Sequence, residues 1–74
     1  MNDTVTYTFT VAGLDPSSAR TITTLLEQQP GVYRAQPSVD LGRIAVDADP
    51  AVADPDVLAC IITGTGHPAS VDRL

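Results

Sequence analysis

The fold is decided by residues 4–26, which read TVTYTFTVAGLDPSSARTITTLL. The first eight of these residues alternate threonine with an apolar side chain. The apolar members, which share one face, are Val5, Tyr7, Phe9 and Val11. A period of two with β-branched and aromatic residues is typical of a strand that has one buried face and one face in water. Residues 4–11 are therefore predicted to form a half-buried strand.

The second half of this stretch predicts a helix. Asp15 suits the N-cap position, and Pro16 suits the first helical position, where its missing N–H breaks no hydrogen bond. The apolar residues that follow at helical spacing are Ala19, Ile22, Leu25 and Leu26. The segment 28–31, which contains Pro30 and Gly31, ends the helix.

The remainder of the chain continues with two further strands. Residues 32–39 are predicted to form a second strand, and Pro37 within them indicates a strand at the edge of a sheet. A turn around Gly42 leads to a third strand through Ile44 and Val46, so these two strands form a hairpin.

A second helix and a last strand complete the pattern. The pair Asp54-Pro55 repeats the combination of N-cap and proline. The apolar stripe predicted for this helix consists of Val57, Leu58, Ile61 and Ile62. Gly64 and Gly66 end the helix, and residues 69–74 are long enough for one short strand.

The predicted order, βαββαβ, is that of an α+β ferredoxin-like fold, with two helices on one face of a four-stranded antiparallel sheet. The right-handed crossover rule places the second and last strands at the edges of the sheet. We expect a single domain over residues 1–74. Its predicted core consists of Val5, Tyr7, Phe9, Val11, Ile22, Leu25, Leu26, Ile44, Val46, Leu58, Ile61 and Ile62.

Composition excludes several functional classes. The chain has nine acidic residues against four arginines, with no lysine, and its net charge of −5 repels phosphate backbones and anionic membranes. We therefore expect no nucleic-acid partner. No apolar run reaches the ~18 residues of a membrane span, so direct membrane insertion is not expected. The N-terminus lacks a signal-peptide pattern, and a single cysteine permits no internal disulfide, which favours the cytoplasm.

Four short motifs carry a family resemblance. They are Val11-x-Gly13-Leu14, Gly31-Val32, Val39-x-x-Gly42-x-x-x-Val46 and Leu58-x-x-x-Ile62-x-x-x-Gly66. From Phe9 to Val71 the chain resembles a heavy-metal-associated domain, the fold of copper chaperones and of N-terminal modules in metal-transporting ATPases. The resemblance implies the ferredoxin-like fold and a role in metal trafficking or metal transport.

The chain departs from this family at its metal-binding motif. The family pattern is Gly-Met-x-Cys-x-x-Cys, whereas residues 13–19 read GLDPSSA. Pro16 and Ala19 therefore stand in the places of the two cysteines, and neither has a ligand atom. Because monovalent copper prefers thiolates, we predict no tight binding of this ion and no resident cofactor.

Two other residues are candidates for a different metal site. In this topology the loop after the second helix lies beside the loop before the first, which brings His67 near Asp15. An imidazole and a carboxylate suit a weakly held divalent ion such as zinc, nickel or copper(II). Two ligands are too few for a tight site, however. The alternatives are that Asp15 only caps the helix and that His67 is a partly exposed loop residue.

Other chemistry-bearing residues have structural interpretations. We expect Cys60 to be a small packing residue in the second helix. The acidic cluster of Asp47, Asp49, Asp54 and Asp56 lacks the spacing and the glycine of a calcium loop. It is interpreted as a solvated cluster that caps a helix.

Three functional hypotheses follow. No nucleophile–base set, carboxylate pair or phosphate-binding loop is present in the sequence, so we predict a non-enzymatic domain. The first hypothesis is a regulatory or docking module that binds a protein partner, such as a metal transporter or another domain of one. The second is a carrier of a divalent ion through Asp15 and His67. The third is an unrelated ferredoxin-like domain that senses a small molecule.

Overall fold

The computed structural model describes residues 4–72. Its elements are β1 (Val5–Val11), α1 (Pro16–Glu27), β2 (Val32–Ser38), a 3-10 turn (Val39–Leu41), β3 (Arg43–Ala48), α2 (Pro55–Thr63) and β4 (Ala69–Asp72). These bounds follow the predicted order of elements. Residues 1–3, in which we found no signal-peptide pattern, and residues 73–74, predicted to end the last strand, lie outside the described part.

The four strands form one antiparallel sheet in the order β2-β3-β1-β4. This order confirms the ferredoxin-like topology and places β2 and β4 at the edges, as predicted. In the register, Phe9 on the central strand β1 lies opposite Ile44 on one side and Val71 on the other. Pro37 lies on edge strand β2, where its missing N–H is tolerated.

Both helices pack their apolar sides onto the same core. The buried apolar residues are Phe9, Val11, Ala19, Ile22, Leu26, Ala35, Ile44, Val46, Ala48, Ala53, Leu58 and Ile62. Most of the predicted core is therefore confirmed. The other four predicted core residues are all partly buried. Tyr7 and Ile61 pack against the core, whereas Val5 and Leu25 lie outside the cluster.

Two predictions for α2 are wrong. The sequence predicts Val57 in the apolar stripe, but 54% of its surface is exposed. The sequence also predicts that Cys60 packs against its neighbours, but its side chain is exposed. The helix presents Leu58 and Ile62 to the core, and Cys60 lies two residues from each of them. At about 100° per residue, this spacing turns Cys60 to the opposite side of the helix.

Neither helix in the described part of the chain has the length and apolar content that a membrane crossing requires.

Candidate functional site

The first side of the candidate site is the beginning of α1. The Ser18 backbone N–H donates to Asp15 Oδ1 over 2.7 Å, and the Asp15 N–H donates to Ser18 Oγ over 3.0 Å. These reciprocal bonds form a capping box, so the prediction of Asp15 as the N-cap is confirmed. The Ser18 backbone N–H, followed by its hydroxyl, lowers the pKa of the exposed Asp15 carboxyl below its ordinary value of 3.8.

The second side is the loop after α2. Nδ1 of His67 lies 3.0 Å from the carbonyl oxygen of Ala12, and the Ala12 N–H donates to the Pro68 carbonyl over 2.9 Å. A carbonyl can only accept, so Nδ1 must carry the proton of this bond. In the neutral imidazole, Nε2 then keeps its lone pair. The two loops are thus joined by hydrogen bonds.

The approach of these loops is close at Gly13. A Cβ added at Gly13 would lie 3.6 Å from Nδ1 of His67, which is ordinary van der Waals contact. The charge of His67 also contributes to the lowered pKa of Asp15, although less than the Ser18 bonds do. The fold therefore places the two predicted ligand residues in neighbouring loops. No ion pair joins their side chains.

The positions that correspond to the family cysteines carry no ligand atoms. Pro16 occupies the first helical position and is exposed, while Ala19 is buried against the core with 3% of its surface exposed. Within residues 4–72, no group of three or more histidine, cysteine, aspartate or glutamate side chains is arranged to hold a metal ion. The assignment of Asp15 and His67 as ligands stays a prediction.

The acidic cluster lies at the other end of the molecule, and its carboxylates accept hydrogen bonds from the protein. Asp47 accepts from the Thr6 hydroxyl over 2.8 Å, and Asp49 accepts from the Ala51 N–H over 2.9 Å. Asp54 accepts from the Asp56 N–H over 2.9 Å and is the N-cap of α2, as predicted.

One surface feature near this cluster was not predicted. A shallow apolar groove lies between the end of α1 and the beginning of α2, and exposed Val52 and Val57 stand at its rim. Val52 belongs to a loop, where a single valine has no periodicity to mark it. A different, open depression on α1 is lined by Pro16, Ser17, Arg20 and Thr21.

Comparisons with known proteins bear on the fold. No protein-family model matches the sequence, and no curated protein gives a significant match. Among solved structures, oxidized MerP from Ralstonia metallidurans CH34 superposes with a TM-score of 0.87 at 22% identity, over 96% of this chain and 100% of that one. A putative copper-ion-binding protein from Bacillus anthracis superposes with a TM-score of 0.86 at 18% identity, over 95% of this chain and 100% of that protein.

A third structure is the yeast copper transporter domain Ccc2a. It superposes with a TM-score of 0.86 at 23% identity, over 92% of this chain and 94% of that domain. In all three comparisons the superposition covers at least 92% of this chain and at least 94% of the matched chain. The resemblance found in the sequence is thereby confirmed at the level of architecture: the chain has the ferredoxin-like fold of heavy-metal-associated domains.

Proposed function

We propose that this domain is a non-enzymatic module of a metal-trafficking or metal-transport system and acts through protein contacts. One observation carries the proposal. At the start of α1, Pro16 and Ala19 provide no ligand atoms, although the strands and helices of the fold are all formed. The structural similarity to a putative copper-ion-binding protein and to a copper transporter domain favours this setting over small-molecule sensing. The partner is a metal transporter or another domain of one, in the cytoplasm.

The geometry of the loops supports a contact role. The capping box fixes the start of α1, and the bonds between Ala12, His67 and Pro68 fix the neighbouring loop. A surface that is already ordered loses less conformational entropy when a partner binds. The loop end of the domain can therefore serve as a recognition surface without a metal ion to organise it.

The second candidate is a carrier of a borderline divalent ion through Asp15 and His67. It is favoured by one observation, the bond from Nδ1 of His67 to Ala12, which leaves Nε2 as the lone-pair donor. Because two ligands are too few, a partner would have to supply the others.

A titration with monovalent copper under reducing conditions, against a competing chelator, tests the main proposal. We expect no copper to be retained by the natural chain. The variant Pro16→Cys/Ala19→Cys should retain copper, because it restores two thiolates at the family spacing. The matched variant Pro16→Ser/Ala19→Ser should not. Stoichiometric retention by the natural chain that persists in Cys60→Ser would contradict the proposal.

Amide and imidazole NMR shifts during titrations with zinc, nickel and copper(II) separate the two candidates. Shifts at residues 13–19 and 65–68 that disappear in His67→Ala would support the carrier. Shifts confined to residues 47–56 would instead place a site at the acidic cluster and contradict the Asp15 and His67 assignment. We expect neither pattern at stoichiometric metal.

A further inference from the structure

The apolar groove lies at the end of the domain opposite Asp15 and His67. Its walls include Gln29 and Pro30, which follow α1, and its floor is formed by Ala53 and Leu58, which are 4% and 1% exposed. The candidate loops lie instead at the beginning of α1 and after α2. Helix α1 runs between the groove and the candidate loops, and its 12 residues span about 18 Å.

Two valines at the rim of this groove are unusually exposed. Val52 is 57% exposed and Val57 is 54% exposed. They come from different elements, the loop after β3 and the first turn of α2, and both line the same groove. Adjacent exposed apolar side chains with an apolar floor beneath them mark an interaction surface more often than isolated ones do.

Backbone hydrogen bonds hold the groove in shape. The Asp49 N–H donates to the Gly31 carbonyl over 2.8 Å. The N–H groups of Val52 and Ala53 both donate to the Asp49 carbonyl, over 3.0 and 2.8 Å. The loop also packs closely on Gly31, where an added Cβ would lie 2.8 Å from Cβ of Val52. These backbone bonds and the contact with Gly31 therefore hold Val52 in its exposed position.

The charged residues of the chain segment that forms one side of the groove are all acidic. Residues 47–58 contain four aspartates and no arginine or lysine. Asp54 lines the groove itself, and Asp49 belongs to the loop that carries Val52. Basic groups are therefore attracted to this end of the molecule, and acidic groups are repelled.

The size of the groove limits what it can hold. Its volume is about 120 Å³, which is below the ~300–1,000 Å³ of pockets for drug-sized ligands. We propose that the groove docks one aliphatic side chain of a partner protein, from a segment in which arginine or lysine flanks that side chain. The inference rests on the proposed protein-contact function and names the chemistry of the partner.

The test uses amide NMR titrations at low salt with a blocked synthetic peptide that has a central leucine between arginines. We expect shifts at residues 52–54 and 57–58. The affinity should fall about tenfold in Val52→Ser/Val57→Ser, because the rim loses its apolar contacts. Leu41→Ser is the control variant: Leu41 is an apolar residue that is 68% exposed but does not line the groove. This variant should bind the peptide as the natural chain does. Added salt should weaken binding.

Several outcomes would overturn the inference. These are the absence of shifts at the groove, unchanged affinity in the double valine variant, and equal binding of peptides in which glutamate replaces the arginines or serine replaces the leucine. Shifts at residues 52–58 that depend on protein concentration without peptide would assign the groove to a second copy of this chain instead. Folding of each variant is checked from its amide spectrum.

Failure of this inference is distinguishable from failure of the proposed function. Copper retention by the natural chain against the chelator would contradict the proposed function, and the peptide result at residues 52–58 would be unaffected. A peptide that leaves the groove unchanged would overturn only the docking of a basic aliphatic segment.

Discussion

At the scale of single residues, the backbone and side-chain groups that cap the start of α1 have protein partners and need no metal ion. Asp15 satisfies the N–H of Ser18, and Pro16 has no N–H that needs a partner. Ala19 fills a place in the core and donates its N–H to the Asp15 carbonyl over 2.8 Å. Each residue that stands where a ligand would be expected thus has a role in forming the helix.

The capping carboxylate makes a prediction about pH. The folded-state pKa of Asp15 is lowered, so the unfolded chain binds more protons through this range. The contribution of the Asp15 carboxylate to stability is therefore fully present above its unfolded pKa of about 3.8. It is lost as the pH falls through its lower folded-state pKa. Asparagine also caps helices but does not titrate, so Asp15→Asn should lack this loss.

Urea unfolding of the natural chain and of Asp15→Asn from about pH 2 to pH 6 measures the contribution of the Asp15 carboxylate to stability. The other carboxylates contribute equally in the two proteins. We expect the natural chain to lose stability relative to Asp15→Asn on acidification, with only a small difference near pH 6. Parallel stability curves across the whole range would contradict a lowered pKa at Asp15.

At the scale of elements, the packing of Gly31 on Val52 connects the start of β2 to the loop before α2. Gly31 has a φ of 82°, and a Cβ there would approach Cβ of Val52 to 2.8 Å and the Ala53 nitrogen to 3.1 Å. Because backbone hydrogen bonds hold this loop, it cannot move aside freely. The glycine is required both by its backbone angle and by the closeness of its neighbours.

Gly31→Ala is therefore expected to lower the free energy of unfolding by about 2–4 kcal/mol, from backbone strain and overpacking together. Gly66→Ala is the matched control, because Gly66 has a φ of 97° but nothing within 4 Å of an added Cβ. It should cost only the strain of about 1–2 kcal/mol. Urea unfolding of both variants makes the comparison, and equal losses would show that contact with Val52 does not matter.

At the scale of the whole molecule, one core supports two chemically different ends. Phe9 is fully buried on the central strand β1 and makes an edge-to-face contact with Tyr7, with ring centroids 6.5 Å apart. Strand β1 also leads into the loop of Ala12 and Gly13. Loss of packing at Phe9 would therefore affect the stability of the whole domain.

Phe9→Ala should destabilise the domain by about 3–5 kcal/mol through loss of buried surface and creation of a cavity. This is a large part of the ~5–15 kcal/mol that is typical of folded proteins. Leu41→Ala removes apolar atoms from a residue that is 68% exposed and should change stability by no more than about 0.5 kcal/mol. Denaturant unfolding measures both, and a comparably small loss at Phe9 would contradict the assigned core.

The sequence by itself determined the elements and their order. Alternation in β1, the aspartate–proline pairs before both helices and Pro37 on β2 are local signals, since each depends on neighbouring residues in the chain. The absence of thiolates at Pro16 and Ala19 could likewise be seen in the sequence. The topology then followed from general rules of strand connection.

The tertiary structure decided what depends on residues far apart in the chain. Ala35, Ala48 and Ala53 are buried in the core, although the sequence pattern did not mark them as core residues. Cys60 and Val57 are exposed because the sheet covers only part of the surface of α2. The bond between His67 and Ala12 spans 55 positions, and the groove joins the ends of two helices. No local pattern encodes such contacts, because they arise only when the elements pack together.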